Sequence, residues 1–441
     1  MKDVLNVGES LTCGQMLVSK NNMFRAIMQY DGNFVVYDNL DKPIWASKTD
    51  GKGGKILTMQ ADNNLVIYKG DGKAVWSAKS NKENSQPQLI MQNDQNLVIY
   101  NLNDGKACWS INKGKPKDEW KWATNNWMQQ SYDVLQNLTL KDFCIPGSHD
   151  AGMYYRGTST SGAFDCNVLT QSVPIYDQLV YGFRYFDIRP IYLPRISEFR
   201  VGHFTDPIKV IGVQGACSVD INKVIEDVNN YTKHNNELII LNLSHDLNLT
   251  TEKNISEDDW RKLLNLFKTK LNNLLVMSHR STETEKGFLL KLKVSEFINS
   301  KSAVVVIVPD RLSDSLFNEL KYQGFYRLKS LDLYDEYSNT NNLCCMINDQ
   351  KAKLIDTKVS NPNKYFLLSW TLTQTNAQAV TCKLPGVNSI KDLANKANKR
   401  FDDILPTVIK YKPNVFYIDD IKDNKLTTFI IDNINPKKLT E

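Results

Sequence analysis

The chain has 441 residues, of which 41% are hydrophobic and 23% charged, and this composition is typical of a folded protein with more than one domain. The chain carries 54 basic and 49 acidic residues, for a formal net charge of +5, and has no block of lysines or arginines. This charge distribution argues against a nucleic-acid partner. The slight basic excess still permits attraction to an anionic membrane surface.

The N-terminal sequence, MKDVLNVGESLTCGQML, has no apolar core long enough for a signal peptide, and no run of 18 apolar residues occurs. We therefore expect no membrane-spanning segment, and we keep a secreted or extracellular protein as the working expectation. The eight cysteines form no CxxC pair and no metal-ligand spacing. Several lie in apolar runs, so we expect buried free thiols.

A nine-residue pattern, Q-x-D-x-N-x-V-x-Y, occurs three times near the N-terminus. The copies are QYDGNFVVY at 29–37, QADNNLVIY at 60–68 and QNDQNLVIY at 92–100, with starts 31 and 32 residues apart. Strict alternation is the period of a strand, so the five pattern residues point to one side of a sheet. A further predicted strand with a tryptophan follows each copy, at Trp45, Trp76 and Trp109. Because one such unit cannot bury its own apolar face, we expect three four-stranded units with their tryptophans in a common centre.

The polar face of each copy has the chemistry of a sugar site, since two amides and a carboxylate offer donors and acceptors to neighbouring hydroxyls. A polar ladder that only holds the sheets together is the alternative, and three intact copies favour the sugar site. Residues 1–113 resemble the monocot mannose-binding lectins, which have an all-β β-prism fold. The resemblance implies mannose-type glycans as partners at three sites: Gln29, Asp31, Asn33 and Tyr37; Gln60, Asp62, Asn64 and Tyr68; and Gln92, Asp94, Asn96 and Tyr100.

The polar segment NKGKPKDEWK at 112–121 separates the repeat from the rest of the chain, so we expect a linker at 114–121 and a second domain at 122–441. Short apolar runs alternate there with stretches of helical length, such as SEDDWRKLLNLFKTKLNNLL. This alternation predicts an α/β fold, a TIM-like barrel with its chemistry at the C-terminal strand ends. The predicted strands are residues 142–147, 183–188, 199–204, 237–243, 302–309, 343–349, 364–370 and 414–420.

Uncommon polar residues lie at the C-terminal ends of several predicted strands, among them His149, Arg189 and His203. A lone histidine is more often structural than catalytic. Two histidines and an arginine at neighbouring strand ends instead match the needs of phosphodiester cleavage. That reaction requires a base for the nucleophile, an acid for the leaving oxygen and a positive charge on the phosphoryl oxygens.

The segments around these residues form a signature in chain order: CIPGSHDAG, FRYFDIRP, VGHF, ELIILNLSHD, FLLSWTLTQ and NVFYIDD. Over residues 120–425 the chain resembles the phosphatidylinositol-specific phospholipase C X-domain, and the metal-free bacterial branch most closely. The resemblance implies cleavage of phosphatidylinositol or a related phospholipid to diacylglycerol and a cyclic inositol phosphate. It implies a phospholipid headgroup and peripheral membrane contact as partners. In these terms His149 is the general base, His203 the general acid, and Arg189 neutralises the phosphate.

The resemblance also gives roles to the nearby carboxylates. Asp150 is expected to orient the general acid, and Asp419 the general base. Asp420 is the alternative to Asp419 if the register differs by one residue. Asp187 lies two residues before the arginine on its strand, so its side chain is expected to face the site as well.

The eukaryotic branch of this family holds calcium with an asparagine after the first histidine, acidic residues on the second strand and a glutamate ending the fourth. Here those positions hold Asp150, Asp187 with Arg189, and Ser244. Calcium needs six to eight oxygen ligands, and a guanidinium takes the place of the cation. We therefore expect no metal and no cofactor.

The resemblance implies four headgroup-binding positions: His245 (or Ser244 beside it), Arg311, Asp349 and Trp370, the last by stacking on the sugar ring. The family's lysine on the fourth strand is missing, and Lys351 stands where the family has a tyrosine. These departures keep other phosphodiesters open, such as a glycosyl-phosphatidylinositol anchor.

Two other functions compete with this prediction. A carbohydrate-binding lectin with a catalytically inactive barrel would keep the sugar motifs, but it has no reason to keep the acid–base residues together. A glycerophosphodiester phosphodiesterase on the same barrel would need several carboxylates around a metal and an HRG start. The segment CIPGSHDAG does not supply these features.

Overall fold

A computed structural model divides the chain into two compact units, Met1–Ala123 and Thr124–Glu441. The linker expected at 114–121 lies outside the described residues. The structure describes residues 2–19, 24–38, 41, 43–81, 86–92, 96–103, 107–111, 124–205, 212–277, 286–320 and 323–436.

Within the described residues of the first unit, twelve short strands form three four-stranded antiparallel sheets. The strands are β1 (Val4–Asn6), β2 (Ser10–Thr12), β3 (Met16–Val18), β4 (Phe24–Met28), β5 (Phe34–Asp38), β6 (Pro43–Ala46), β7 (Gly54–Met59), β8 (Leu65–Lys69), β9 (Ala74–Ser77), β10 (Pro87–Met91), β11 (Leu97–Asn101) and β12 (Ala107–Ser110). The sheet orders are β3–β4–β5–β6, β2–β7–β8–β9 and β1–β10–β11–β12. Each sheet therefore combines three strands of one repeat with one strand from the N-terminal segment.

The three tryptophans that follow the motifs pack against one another. The ring centroid of Trp45 is 5.8 Å from the centroids of both Trp76 and Trp109, and those two are 6.2 Å apart. All three contacts are edge-to-face, the arrangement that aromatic quadrupoles favour. The expectation that the repeats bring their tryptophans to a common centre is confirmed.

The second unit contains twelve strands among its described residues. They are β13 (Ile145–Ser148), β14 (Tyr185–Ile188), β15 (Pro190–Leu193), β16 (Glu198–Phe204), β17 (Gly215–Asp220), β18 (Leu238–Leu243), β19 (Leu247–Asn248), β20 (Ala303–Val308), β21 (Phe325–Arg327), β22 (Leu333–Asp335), β23 (Tyr365–Ser369) and β24 (Val415–Ile418). Eight form a parallel sheet in the order β21–β20–β18–β14–β13–β24–β23–β22. The other four form a small sheet in the order β17–β16–β15–β19.

The parallel strands are apolar because both faces of the sheet are covered. All six residues of β18 and all six of β20 are buried. Along each parallel strand, alternate side chains point to opposite faces of the curled sheet. One set packs against the helices on the outer face, and the other set fills the inner face. That inner set includes the buried tyrosines Tyr185, Tyr365 and Tyr417.

The helices surround this sheet. The described ones are α1 (Trp127–Gln130), α2 (Tyr132–Leu135), α3 (Asp165–Val168), α4 (Ile175–Val180), α5 (Ile221–Thr232), α6 (Glu257–Lys270), α7 (Val294–Phe297), α8 (Asp314–Leu320), α9 (Leu343–Ser360), α10 (Asn376–Thr381), α11 (Ile390–Asn398), α12 (Leu405–Tyr411) and α13 (Lys425–Asn433). Short 3-10 turns occupy Thr124–Asn126, Phe288–Lys291, Leu328–Leu331 and Phe401–Asp403. No helix in the described part of the chain is both long and apolar enough to cross a membrane.

Helix α6 shows how local sequence sets these bounds. Ser256 caps its N-terminus, where the Oγ accepts a hydrogen bond from the Asp259 N–H. Acidic residues fill its first turn, and lysines its last, so both ends complement the helix dipole. The helical stretch expected from the sequence at this place is confirmed.

Six of the eight predicted strands lie in the parallel sheet, as β13, β14, β18, β20, β23 and β24. Residues 199–204 do form a strand, but β16 pairs antiparallel with β15 and β17 in the small sheet. The strand expected at 343–349 is wrong, because these residues begin α9 and Asn342 caps that helix by accepting from the Cys345 N–H at 3.0 Å. The unpredicted strands β21 and β22 complete the sheet. Within the described residues these two edge strands do not pair with each other, so no ladder closes the sheet.

The cysteines differ in part from expectation. Cys166 in α3 and Cys382, directly after α10, form a disulfide across a sequence separation of 216 residues, with their Cα atoms 5.9 Å apart. The expectation of buried free thiols is therefore wrong for this pair, since so distant a pairing has no local sequence signal. It is correct for Cys144 and Cys217, which are buried thiols.

Candidate functional site

Side chains that the sequence singled out meet at the C-terminal ends of neighbouring strands. His149 and Asp150 directly follow β13, Arg189 follows β14, and Asp419 follows β24. The three strands are adjacent in the sheet in the order β14–β13–β24. His203 comes from β16 of the small sheet and joins the group from the side.

His149 contacts a carboxylate on one side and a guanidinium on the other. Its Nδ1 lies 2.7 Å from Asp419 Oδ1, and its Nε2 lies 2.8 Å from Arg189 Nη2. A guanidinium only donates hydrogen bonds, so Nε2 must accept and the ring is neutral, with its proton on Nδ1. Asp420, the alternative partner, points elsewhere, because its Oδ1 accepts a hydrogen bond from Ser172 Oγ at 2.6 Å.

The pKa of His149 lies above the ordinary histidine value. Burial lowers this pKa and Arg189 lowers it further, but the charge and hydrogen bond of Asp419, with a smaller contribution from Asp187, raise it by more. The two effects oppose each other, since the Arg189 contact requires a neutral ring while Asp419 favours a charged one. In the resting site the Arg189 contact keeps the His149 ring neutral. If Arg189 moves away, the raised pKa means that the ring binds a proton more readily than an ordinary histidine.

His203 forms the second histidine–carboxylate pair. Its Nδ1 lies 2.5 Å from Asp150 Oδ2, which turns Nε2 away from that carboxylate. Asp150 is fully buried, whereas the His203 side chain is 26% exposed. The backbone of Asp150 is left-handed, with φ of 43°, and the Thr170 Oγ1–H donates to its carbonyl oxygen at 2.9 Å. An aspartate tolerates this conformation better than most side chains.

Arg189 joins the two pairs. Its Nε donates to Asp187 Oδ2 at 3.1 Å, and its Nη1 lies 3.5 Å from Asp150 Oδ2. Burial lowers the pKa of Arg189, but the two carboxylates raise it well above its usual range. Burial raises the pKa of Asp187, but Arg189 and the nearby histidines His245 and His149 bring it well below its usual range. Within the described residues, no group of three or more histidine, cysteine, aspartate or glutamate side chains could hold a metal ion.

Ser244 and His245 extend this network from the end of β18. Ser244 Oγ–H donates a short hydrogen bond to Asp187 Oδ1, and His245 Nδ1 lies 2.9 Å from Ser244 Oγ. Because the serine gives its single proton to Asp187, it accepts from His245 Nδ1–H, and His245 Nε2 is then an acceptor. Burial and the charge of Arg189 lower the pKa of His245, which favours this neutral form.

Two expected headgroup-binding residues have structural roles instead. Trp370 is fully buried and its Nε1–H donates to the Ala397 carbonyl oxygen at 2.8 Å, so stacking on a sugar ring is wrong. Asp349 lies on α9 rather than at a strand end. Its Oδ2 accepts from Ser338 Oγ at 2.6 Å and pairs with Lys353 Nζ at 2.9 Å, which holds the loop after β22.

In the part of the chain that the structure describes, Arg311 forms no hydrogen bond to the histidines of the site. It follows β20 and forms a close ion pair with Asp246, the residue after His245. Asp246 is buried and also accepts a hydrogen bond from the Ile255 N–H at 2.7 Å. Arg311 therefore supports the segment that carries His245.

Two residues of the site were missed from the sequence. Asp335 is the last residue of β22 and is exposed at its surface. Partial loss of water around its carboxyl and the negative charge of Asp187 raise its pKa to about 6, against the opposing charges of His149 and Arg189. Tyr417 meets the His149 ring edge-on, with the centroids 5.1 Å apart. Strand alternation places Tyr417 on the face of Asp419, so this residue could have been found.

The three copies of the sugar motif share one hydrogen-bond geometry in the first unit. In each copy the glutamine Nε2–H donates to the tyrosine hydroxyl. The distances are 2.9 Å for Gln29–Tyr37, 2.7 Å for Gln60–Tyr68 and 3.1 Å for Gln92–Tyr100. Each glutamine and tyrosine stays half-buried, so both polar groups remain within reach of a ligand.

The motif aspartates shape the turn next to these pairs. Asp31 and Asp62 each accept a hydrogen bond from the backbone N–H of the motif asparagine, at 2.9 and 3.0 Å. Both aspartates are exposed, so one carboxylate oxygen fixes the turn while the group still faces solvent. In the third copy Asn96 is buried, and Asp94 lies outside the described residues.

Comparison with known proteins identifies the first unit. The B-type lectin plumieribetin of Scorpaena plumieri is 38% identical over 111 residues, which cover 25% of this chain and 67% of that lectin. Through this unit, the chain belongs to the B-type lectins. A monocot mannose-binding lectin of Gastrodia elata, known from its crystal structure, is 42% identical to the B-type lectin unit. The match covers 25% of this chain and 98% of that lectin, with a TM-score of 0.24.

The second unit is related to PI-PLC X-domain proteins. A PI-PLC X-box domain-containing protein of Dictyostelium discoideum is 29% identical over 147 residues, which cover 30% of this chain. The chain spans only 17% of the length of that relative. No family model matches the chain. The two resemblances drawn from the sequence, to B-type lectins and to the X-domain, are thus confirmed.

Proposed function

We propose that the second unit is a phosphodiesterase that cleaves phosphatidylinositol or a related phospholipid to diacylglycerol and a cyclic inositol phosphate. One observation carries the proposal. The pairs His149–Asp419 and His203–Asp150 are linked by the guanidinium of Arg189. This arrangement offers a base, an acid and a fixed positive charge, which are the three needs of the reaction. In this proposal the curled sheet is a TIM-like barrel, open between β21 and β22.

The reaction begins when the headgroup phosphate takes Arg189 away from His149. A phosphate oxygen is a charged acceptor and competes well with a neutral imidazole nitrogen for the guanidinium N–H. His149 Nε2 is then open, and Asp419 gives the ring the proton affinity of a base. The ring takes the proton of the inositol 2-hydroxyl, whose oxygen attacks phosphorus.

As the new bond to phosphorus forms, the bond from phosphorus to the diacylglycerol oxygen breaks. His203 starts protonated and gives its Nε2 proton to that oxygen. Asp150 holds the ring through Nδ1 and stabilises its charged form before the transfer. The step ends with diacylglycerol, a cyclic inositol phosphate, a protonated His149 and a neutral His203.

In this mechanism Arg189 alone supplies the positive charge that neutralises the phosphoryl oxygens. Asp187 and Asp150 hold the guanidinium in place and keep it charged. A guanidinium cannot lose its proton at physiological pH and offers planar paired donors to phosphate oxygens. Activity should therefore need no metal ion.

The first unit is proposed to bind mannose-type glycans at the three motif sites. Support comes from the B-type lectin relationship, from the mannose-binding relative of Gastrodia elata and from the repeated glutamine–tyrosine hydrogen bond. Three weak sites on one unit gain avidity for a glycan-rich surface. Binding to such a surface would concentrate the second unit near membrane lipid.

A carbohydrate-binding lectin with an inactive second unit is the other candidate. One observation favours it, because Arg189 Nη2 contacts the very nitrogen of His149 that a base would use. Release of diacylglycerol from phosphatidylinositol vesicles separates the two candidates. Wild-type protein should release it and His149→Ala should not. If neither does so while mannoside binding persists, the second candidate is correct.

A further inference from the structure

The three sugar motifs repeat the same residues but have different neighbours across the sheet. Directly opposite residues of an antiparallel pair lie on the same face. The motif tyrosine lies opposite Arg25 in the first copy, Ile56 in the second and Gln88 in the third. Of these three opposing residues, Arg25 is the one that brings a positive charge to the sugar-binding face.

Arg25 is held at the tyrosine end of the first site. Its guanidinium carbon lies 4.9 Å from the ring centroid of Tyr37, whose hydroxyl accepts from Gln29 Nε2 at 2.9 Å. The Arg25 side chain is 31% exposed and forms a close ion pair with Asp41, which is 78% exposed. The charge is therefore both fixed over the ring and reachable from solvent.

The matching positions of the other two copies are neutral. Ile56 pairs with Thr12 on one side and Tyr68 on the other, and it is half-buried like Arg25. Gln88 Nε2 donates to Asn6 Oδ1 at 2.9 Å, so its amide is already engaged across the sheet. The copies are thus alike in the motif and unlike in the charge beside it.

We propose that the first site binds an anionic sugar, a hexose that carries a phosphate, sulfate or carboxylate, with Arg25 binding the anion. The inference rests on the proposed sugar binding by these motifs. A guanidinium suits such a group because its N–H donors match the geometry of an oxyanion. The ion pair with Asp41 is exposed and therefore weak. A guanidinium has five N–H donors, so the anion of a bound sugar can bind beside Asp41 or in its place. Asp31 and Asp41 both repel an anion, which limits the gain.

Full-length protein with Gln60→Ala and Gln92→Ala isolates the first site. Calorimetry at low salt would compare methyl α-mannoside, mannose 6-phosphate, mannose 6-sulfate and inorganic phosphate. We expect the two charged sugars to bind about tenfold more tightly than the neutral one, as for one partly exposed charge-assisted hydrogen bond. Added salt should reduce this ratio. Arg25→Gln should bring it to one or below, since the preference depends on that one charge and Asp31 and Asp41 would then repel the anion unopposed.

The reciprocal protein retains the second site through Gln29→Ala and Gln92→Ala. It should show no preference for the charged sugars, and adding Ile56→Arg should create one. Equal affinities at the first site would overturn the inference. It would also be overturned if inorganic phosphate bound as tightly as mannose 6-phosphate, because Arg25 would then bind anions without the sugar. Absence of methyl α-mannoside binding at the second site would instead refute sugar binding by the motifs, and the inference with it.

Discussion

Replacing Arg189 with lysine tests the proposed phosphate site most sharply. The guanidinium reaches three groups at once, since Nε contacts Asp187, Nη1 contacts Asp150 and Nη2 contacts His149. A lysine ammonium is a single point of charge on a different stem and cannot keep all three. It also offers no paired donors to the phosphate.

The expected loss of kcat/KM follows from the guanidinium N–H donor that the lysine does not replace. One charge-assisted hydrogen bond made in the transition state is worth about 3 kcal/mol at most, which corresponds to a factor of about 10² in kcat/KM. The loss of positioning adds to this figure. The fold should persist, because the lysine keeps a positive charge between the carboxylates Asp187 and Asp150.

The assay is kcat/KM for diacylglycerol release from phosphatidylinositol vesicles, with the melting temperature as a check on folding. Arg200→Lys is a matched control, because Arg200 lies on β16 and its contacts are to Glu198, outside the network. The control should keep its activity. A folded Arg189→Lys protein with near wild-type kcat/KM would refute the assignment of the phosphate charge to Arg189.

The remaining predictions concern the two histidines, Asp419 and the disulfide. His149→Ala and His203→Ala should each lower kcat by about 10²–10⁴-fold, and the double change should cost much less than the product of the two losses. Strictly multiplicative losses, or a folded His203→Ala protein with normal turnover, would contradict the acid–base pair. The pH–rate profile should be bell-shaped, and its acid limb should report His149, which must be neutral to act. Because Asp419 raises the pKa of His149, Asp419→Asn should move that limb to lower pH and lower the maximal rate. An acid limb at the wild-type pH would show that Asp419 does not control the pKa of the general base. Reducing the Cys166–Cys382 bond with a dithiol, or making Cys382→Ser, should lower the free energy of unfolding by about 2–4 kcal/mol. Unchanged denaturation midpoints would show that the bond does not restrict the unfolded chain.

Much of the fold could be predicted because its signals are local and repeated. The alternating motifs fixed the strands of the lectin unit, and the apolar runs of β18 and β20 are long enough to identify buried parallel strands. The three-residue strands β21 and β22 are too short for any period to be visible. The run at 343–349 is apolar enough for a strand. It forms a helix because Asn342 caps the N-terminus and the helical segment continues to Ser360.

The candidate site divides in a similar way. Residues directly after strands, such as His149 and Arg189, were found because the ends of parallel strands converge. Trp370 and Asp349 were misjudged because burial and helix position depend on packing from distant segments. Asp335 was missed because a single carboxylate on a short strand has no pattern of its own.

Phosphorus NMR of phosphatidylinositol incubated with the pure protein in excess chelator tests the central claim most directly. The account predicts that the phosphodiester resonance is replaced by that of a cyclic inositol phosphate, and that wild-type protein retains this activity without metal. An unchanged spectrum that develops a product only after calcium is added would contradict the role of Arg189. An unchanged spectrum under both conditions would contradict the proposed phosphodiesterase and leave the protein a lectin.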